Sequence, residues 1–280
     1  MPEGDCMRLA MAQMSSTDSP DANLEIVLDG VRDASAAGAD LVVFPEAAMC
    51  RFGVSLRDVA QSLDGPWASA VAAAADAHGV AVAAGMFTPA PDGRIRNTVL
   101  VARPGRAPLA YDKIHLYDAF GFAESRTVAP GHRPLVFDVG DCTVGVATCY
   151  DIRFPALFTE LARRGAQMIV VPTSWGSGPG KLEQWEILTR ARALDSTAYV
   201  AGVGQAEPSD PAIRDSLAPT GIGHSRLSDP FGSVIADYDS AVQMGVHDID
   251  LALTDKARSA LAVLANARDI PRLDRTNPHD

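Results

Sequence analysis

The stretch "VGVATCYDIRFP", Val144 to Pro155, sets a thiol between two kinds of backbone. Small and β-branched residues up to Ala147 read as a buried strand, and Pro155 is placed to open the helix that "PALFTELARRG" continues. Cys149 falls at the end of that strand. It is either a packed core thiol or a nucleophile presented by a strand-to-helix bend. Immediately upstream, "PLVFDVGDCTVGVATC" has Gly140-Asp141 between two apolar runs, as in a tight hairpin. Downstream, helix 155–164 is followed by the strand "QMIVVP", the helix "KLEQWEILTRARALDS" and the strand "AYVAGVG".

The first third of the chain shows the same alternation. "MRLAMAQM" reads as a strand, and Leu24, Val27, Leu28 and Val31 recur at helical spacing. "DLVVFPE", a helix through "WASAVAAAADAHG" and the strand "VAVAAGMF" follow. Between the halves lie β-rich segments, "NTVLVA" and "PLAYDKIHL", and later "IGHSRLSD", "SVIADY" and "MGVHDID". Two α/β halves with β-rich connections predict stacked sheets covered by helices outside, an α-β-β-α sandwich; a plain doubly wound sheet is the alternative. No repeat or low-complexity linker divides the chain. It reads as one domain over 1–280, with a polar tail from about 268 that is disordered or docks on a partner subunit.

Bulk properties narrow the function. The formal charge of −11 disfavours nucleic-acid backbones and anionic membranes as partners, both of which need clustered cations. The start "MPEGDCMRLA" has early acids and no apolar core, unlike a signal peptide, and Asp76 and His78 interrupt the richest apolar stretch. Cys6, Cys50, Cys142 and Cys149 lack paired spacing, which fits free thiols in a reducing cytoplasm. "PTSWG" lacks the first glycine of a nucleophile elbow. "GSGPGK" departs from a P-loop, "GIGHSR" and "GVGQAE" from a dinucleotide fingerprint, and the six histidines from metal-ligand spacing, so no cofactor or metal is implied.

What remains is a set of polar residues at the ends of apolar runs. Glu46 ends "LVVFPE", Lys113 lies within "LAYDKIHL", and Cys149 ends "VGVATC". Singly, each has an ordinary reading: a strand terminus, an exposed strand position, a small buried hydrophobe. Together they supply the parts of acyl transfer. A thiol needs a base, which Glu46 provides. The oxyanion formed on attack needs a cation or N–H groups, which Lys113 and the Tyr150 amide provide. A helix start just after Cys149 is expected to favour thiolate.

"LVVFPE", "YDKIHL" and "CYDIRFP", in that order, resemble the three signature segments of the nitrilase superfamily of carbon–nitrogen hydrolases. "AESRTVAPG", "ARRGAQMIVVPTSW" and "GHSRLSDPFGSV" extend the likeness over nearly the whole chain. The resemblance implies an α-β-β-α sandwich, with Glu46 as general base, Lys113 as stabiliser of the tetrahedral intermediate and Cys149 as the residue that forms a thioester. It also implies a second glutamate, Glu124 in "FAES", that orients Lys113 or assists proton transfer. His115 is expected to be structural and Cys50 packed; Cys6 and Cys142 carry no functional argument.

"CYDIRFP" is similar to the Nit-type subgroup, which includes ω-amidase and deaminated glutathione amidase, rather than to nitrilases with Cys-Trp-Glu. The expected substrate is a small linear amide carrying a carboxylate, with Lys181 as a candidate anchor and Trp175 and Tyr150 lining the pocket. Two loops depart from the subgroup: "SGPGKLEQWE", and the short "LYDAFGFAES" between Lys113 and Glu124. Hydrolysis of an N-carbamoyl compound or a nitrile by the same triad stays open, as does a redox-sensing module in which Cys149 is simply oxidisable. The family implies a homodimer or larger assembly.

Overall fold

A computed structural model describes residues 6–270. The proposed tail lies almost wholly beyond them. Strand β1 (Cys6–Gln13) leads into α1 (Pro20–Ala36), whose Ser19 side chain accepts the Ala22 N–H while Pro20 occupies the first turn. β2 (Leu41–Val43), α2 (Pro66–His78) and β3 (Ala81–Pro89) continue the alternation, and α2 stops at Gly79, where φ is +65°. β4 (Ile95–Arg103) and β5 (Arg106–Asp112) fold back as an antiparallel ribbon.

The second half repeats this plan. β6 (Leu135–Val139) and β7 (Cys142–Val146) form the hairpin expected around Gly140-Asp141, with Val139 opposite Cys142. Then come α3 (Pro155–Arg163), β8 (Met168–Thr173), α4 (Lys181–Ser196) and β9 (Tyr199–Gly204). A short α5 (Pro211–Arg214) precedes β10 (Arg226–Ser228), β11 (Val234–Asp237) and β12 (Gln243–Asp250); α6 (Leu251–Leu261) and α7 (Val263–Asn266) follow.

The strands form two six-stranded sheets, ordered β12-β1-β2-β3-β4-β5 and β11-β10-β9-β8-β7-β6. Each has a parallel centre, β1-β2-β3 or β7-β8-β9, and antiparallel margins. The period-2 geometry of a strand sorts the apolar residues into layers. Leu9, Met11, Leu41 and Val43 of the first sheet meet Val144, Val146, Met168 and Val170 of the second in one core. The alternate residues Ala10 and Val42 pack outward on Val27 and Val31 of α1 and Trp67 and Val71 of α2. On the far side Ile169, Val171 and Val200 pack on Phe158 and Leu161 of α3 and Trp185 of α4. The architecture is the α-β-β-α sandwich, and two separate sheets exclude the plain doubly wound alternative.

Two local expectations shift. β5 ends at Asp112, so Lys113 lies just beyond the strand, although its N–H still donates to the Asn97 carbonyl at 2.9 Å. "IGHSRLSD" is extended only over Arg226–Ser228, because Gly221, Gly223 and His224 take positive φ. Among the described residues no helix is long and apolar enough to cross a membrane.

Gly85 of β3 seats the loop after β2. Its N–H donates to the Pro45 carbonyl and its carbonyl accepts the Met49 N–H. A Cβ there would lie 2.6 Å from Ala47 N and 2.7 Å from Glu46 Cα, both main-chain atoms with little room to yield. Gly85→Ala is therefore expected to cost ~1–3 kcal/mol through overpacking. A lowered thermal midpoint checks this; an unchanged midpoint would mean that the 45–47 backbone is not held against β3.

Candidate active site

In open α/β sheets the free space for a ligand lies outside the carboxyl ends of the parallel strands. Here Glu46 follows β2, Lys113 follows β5, Cys149 follows β7 and Ser174 follows β8. All four, together with Glu124, Tyr150, Arg153, Trp175 and Lys181, line one cavity. Every residue singled out from the sequence as catalytic or substrate-binding is thus brought to the same place.

Lys113 is the centre of the polar cluster. Its side chain is 3% exposed, and Nζ lies 2.9 Å from Glu46 Oε1 and 3.1 Å from Glu124 Oε2. Burial works against its charge, but Glu124 and Glu46 outweigh it and hold the ammonium well above the ordinary lysine value. Glu46 is equally enclosed. Its Oε1 also accepts from Asn97 Nδ2 at 2.7 Å, and its Oε2 accepts the Ser174 N–H at 2.9 Å. Glu124 accepts the Tyr117 N–H at 2.6 Å and a longer bond from Asn97 at 3.2 Å. Each carboxylate is satisfied by several donors, as a buried charge requires.

Cys149 has φ +45°, a left-handed conformation that a non-glycine residue adopts at a cost of ~1–2 kcal/mol. The bend turns a partly accessible side chain into the cavity, where Sγ approaches the Ser174 carbonyl at 3.8 Å. The expectation of a stabilised thiolate is not met. Cys149 begins a short 3₁₀ turn, Cys149–Arg153, and α3 starts only at Pro155. Burial first, then the charge of Glu46, push the thiol well above the ordinary cysteine value, and Lys113 offsets this only in part.

The wall above the cluster is aromatic and cationic. Trp175 donates Nε1–H to the Lys181 carbonyl at 2.9 Å and packs on Trp185. Tyr150 meets Tyr117 edge-on, with ring centroids 5.1 Å apart. Lys181 Nζ lies 3.2 Å from Tyr117 Oη and 3.8 Å from the centroid of the Phe120 ring. Burial and the neighbouring Arg153 lower its pKa. The two loops that depart from the Nit-type pattern, 116–125 and 177–186, therefore meet at the mouth. There the cavity joins an outer recess of about 410 Å³ that shares Tyr117, Gly176, Lys181 and Pro219 with it and adds Phe120, Phe122 and Leu217.

Three functional neighbours escaped the sequence reading. Asn97 stood in "NTVLVA" as a polar residue in an apolar strand, a signal that was available. Arg153 and Asp151 lie within "CYDIRFP" but had no stated role. Arg153 stacks over the Trp175 ring at 5.2 Å and donates to Gln184 Oε1 at 2.6 Å. Cys50 is buried as expected.

The sequence profile of the carbon-nitrogen hydrolase family matches residues 8–259. A Mycobacterium tuberculosis protein named only as a hydrolase is 54% identical over 96% of this chain and 98% of its own. The deaminated glutathione amidase of Escherichia coli O157:H7 is 32% identical over 95% of this chain and 98% of its own. The omega-amidase of mouse is 31% identical over 93% and 95%. Among solved structures, Nit3 of Saccharomyces cerevisiae, a nitrilase-superfamily member, superposes with a TM-score of 0.80 at 24% identity, covering 91% of this chain and 94% of that one. The chain belongs to the carbon-nitrogen hydrolase family, as the signature segments implied.

The electrostatics predict how the thiol responds to Glu46. Glu46→Gln removes one cause of the raised pKa, so the thiolate fraction at pH 7 rises. The pH profile of Cys149 alkylation by iodoacetamide, followed by peptide mapping, should move to lower pH, one unit being a tenfold change in thiolate. A profile that stays in place or moves to higher pH would contradict the assignment of Glu46 as a neighbour that raises the thiol pKa.

Proposed function

We propose that this hydrolase cleaves a small linear amide bearing a carboxylate, through a thioester on Cys149, with Glu46 as base and Lys113 as oxyanion partner. The observation that carries the reading is one cavity holding a thiol, a carboxylate beside it, a lysine bridging that carboxylate to a second, and two basic side chains, Arg153 and Lys181, on the wall. The names of the E. coli and mouse relatives, an amidase and an omega-amidase, support it.

As Sγ attacks the amide carbon, the S–H proton passes to Glu46 and the carbonyl oxygen becomes an oxyanion facing Lys113 and the Tyr150 amide. Collapse breaks the C–N bond, and Glu46 returns its proton to the departing amine. Water then attacks the thioester, giving a proton to Glu46. The C–S bond breaks, the sulfur regains its proton, and a carboxylic acid leaves. A raised thiol pKa suits this scheme, because the proton needed by the leaving amine is present from the start. Glu124, held by Tyr117 N–H and Asn97, keeps Lys113 oriented.

A carboxylate on the substrate complements Arg153 and Lys181, which stand in a chain of net charge −11 where such a pair attracts an anion only locally. Homo-oligomerisation and a cytoplasmic setting belong to the same reading. Exposed Ile187 and Leu194 on α4 and Val234 and Ile235 on the edge strand β11 leave apolar surface for a second copy.

A panel of linear primary amides with and without a terminal carboxylate, scored by ammonia release, tests the proposal. Cys149→Ala should retain the fold and lose turnover, and the wild type should carry an acyl adduct on Cys149 with a slow substrate. Arg153→Met should lower kcat/KM about 10–100-fold for the carboxylate-bearing amides, the worth of a charged hydrogen bond, and leave the neutral amides unaffected. Full activity in Cys149→Ala, or no preference for the carboxylate, would overturn the reading.

A further inference from the structure

Asp151, two residues beyond the proposed nucleophile, is fully buried and lies outside the cavity wall. Its carboxylate nevertheless accepts four hydrogen bonds. Oδ1 takes the His115 N–H at 2.9 Å and His115 Nδ1 at 2.7 Å, and Oδ2 takes Tyr111 Oη at 2.6 Å and the Thr148 N–H at 2.9 Å. With Asp151 as the carboxylate, Nδ1 of His115 carries the hydrogen. His115 also stacks flat on Phe154, with ring centroids 3.7 Å apart.

The donors come from two places that matter. Tyr111 and His115 flank Lys113 at the end of β5. Thr148 immediately precedes Cys149, whose backbone holds a strained left-handed bend. A bend of that kind persists only where its surroundings over-determine it. Asp151 supplies the constraint from within the turn, and Arg192 of α4 adds another by donating Nε–H to the Ile152 carbonyl at 2.7 Å.

We propose that Asp151 and His115 are positioning residues that clamp the Cys149 turn to the Lys113 strand end, acting through the His115 Nδ1–H to Asp151 hydrogen bond and not through the stacking of the His115 ring on Phe154. The clamp fixes the sulfur within the field of Lys113 and Glu46 and away from water. It adds a role for two residues to the proposed acyl-transfer site, and its test needs no knowledge of the substrate.

Two His115 variants separate the bond from the packing. In His115→Asn the side-chain amide nitrogen occupies the place of Nδ1 and keeps the donor but loses the stack. In His115→Phe the stack on Phe154 remains and the donor is lost. The measurement is the pH profile of Cys149 alkylation by iodoacetamide on the full chain, with thermal melting alongside. A loosened turn admits water to the sulfur and relieves the burial that keeps it protonated. His115→Phe should therefore shift the profile to lower pH and alkylate about tenfold faster at pH 7, one unit being a tenfold change in thiolate. His115→Asn should keep the wild-type profile to within about threefold.

An unshifted profile in His115→Phe overturns the clamp. So does a His115→Asn profile shifted as far as that of His115→Phe, which would make the residue a packing element, or a His115→Phe chain that does not fold, which would make the bond a requirement of the fold and not a clamp on the turn. Failure of the amide panel with an intact alkylation result would sink the proposed substrate class and leave the clamp standing.

Discussion

A single buried ammonium, Lys113 between Glu46 and Glu124, is the constraint around which the rest of the site is arranged. Taking such ions from water costs several kcal/mol each, and breaking a buried pair by removing one partner costs about 3–5 kcal/mol. The structure meets that cost with donors drawn from three neighbouring elements: Asn97 from β4, the Ser174 N–H after β8 and the Tyr117 N–H from the loop after β5. Because the three charges sum to −1, a fourth charge on Cys149 would add to an already anionic cluster. Burial raises the thiol pKa first and the Glu46 charge adds to it, and in the proposed chemistry the proton travels with the reaction instead of being shed beforehand.

The sheets serve this cluster by bringing the ends of distant strands together. Parallel centres point β2, β7 and β8 the same way within their sheets, and the antiparallel ribbon β4-β5 carries Lys113 back to that end. The inter-sheet core of Leu9, Val43, Val144 and Val170 sets the separation at which Glu46 from one sheet faces Cys149 from the other. Unusual backbone accompanies the site: Ala47, next to Glu46, and Cys149 itself both have positive φ, as do Phe120 at the mouth and Thr197, His224 and Ala262 elsewhere.

The legible part of the site was the part written in side chains at the ends of apolar runs. Glu46, Lys113 and Cys149 each broke a hydrophobic pattern, and a polar residue at a strand end is visible in a window of a few letters. Asn97 broke one too, but its partner Glu46 is 51 residues away and nothing local distinguished it from Thr98. The Ser174 N–H, 128 residues from Glu46, was beyond reach for a different reason: every residue but proline has such a donor. The thiolate expectation failed because it weighed a nearby helix start and could not weigh burial or the Glu46 charge. Lys113 was placed inside a strand because "LAYDKIHL" keeps its apolar content past Asp112, while the chain turns there to pair Asp151 with His115.

By itself, then, the sequence determined the layers and singled out the side chains that the proposed chemistry uses. Period-2 and period-3.6 patterns depend on neighbours along the chain, and they sorted the strands from the helices and marked "CYDIRFP" as a strand-to-helix bend bearing a thiol. Only the tertiary structure decided how far burial and Glu46 bear on that thiol, which donors hold the two glutamates, and that Arg153, Lys181 and the two divergent loops converge at one mouth. Those properties arise from distances between residues far apart in the chain, and from the exclusion of water once both sheets have closed on each other.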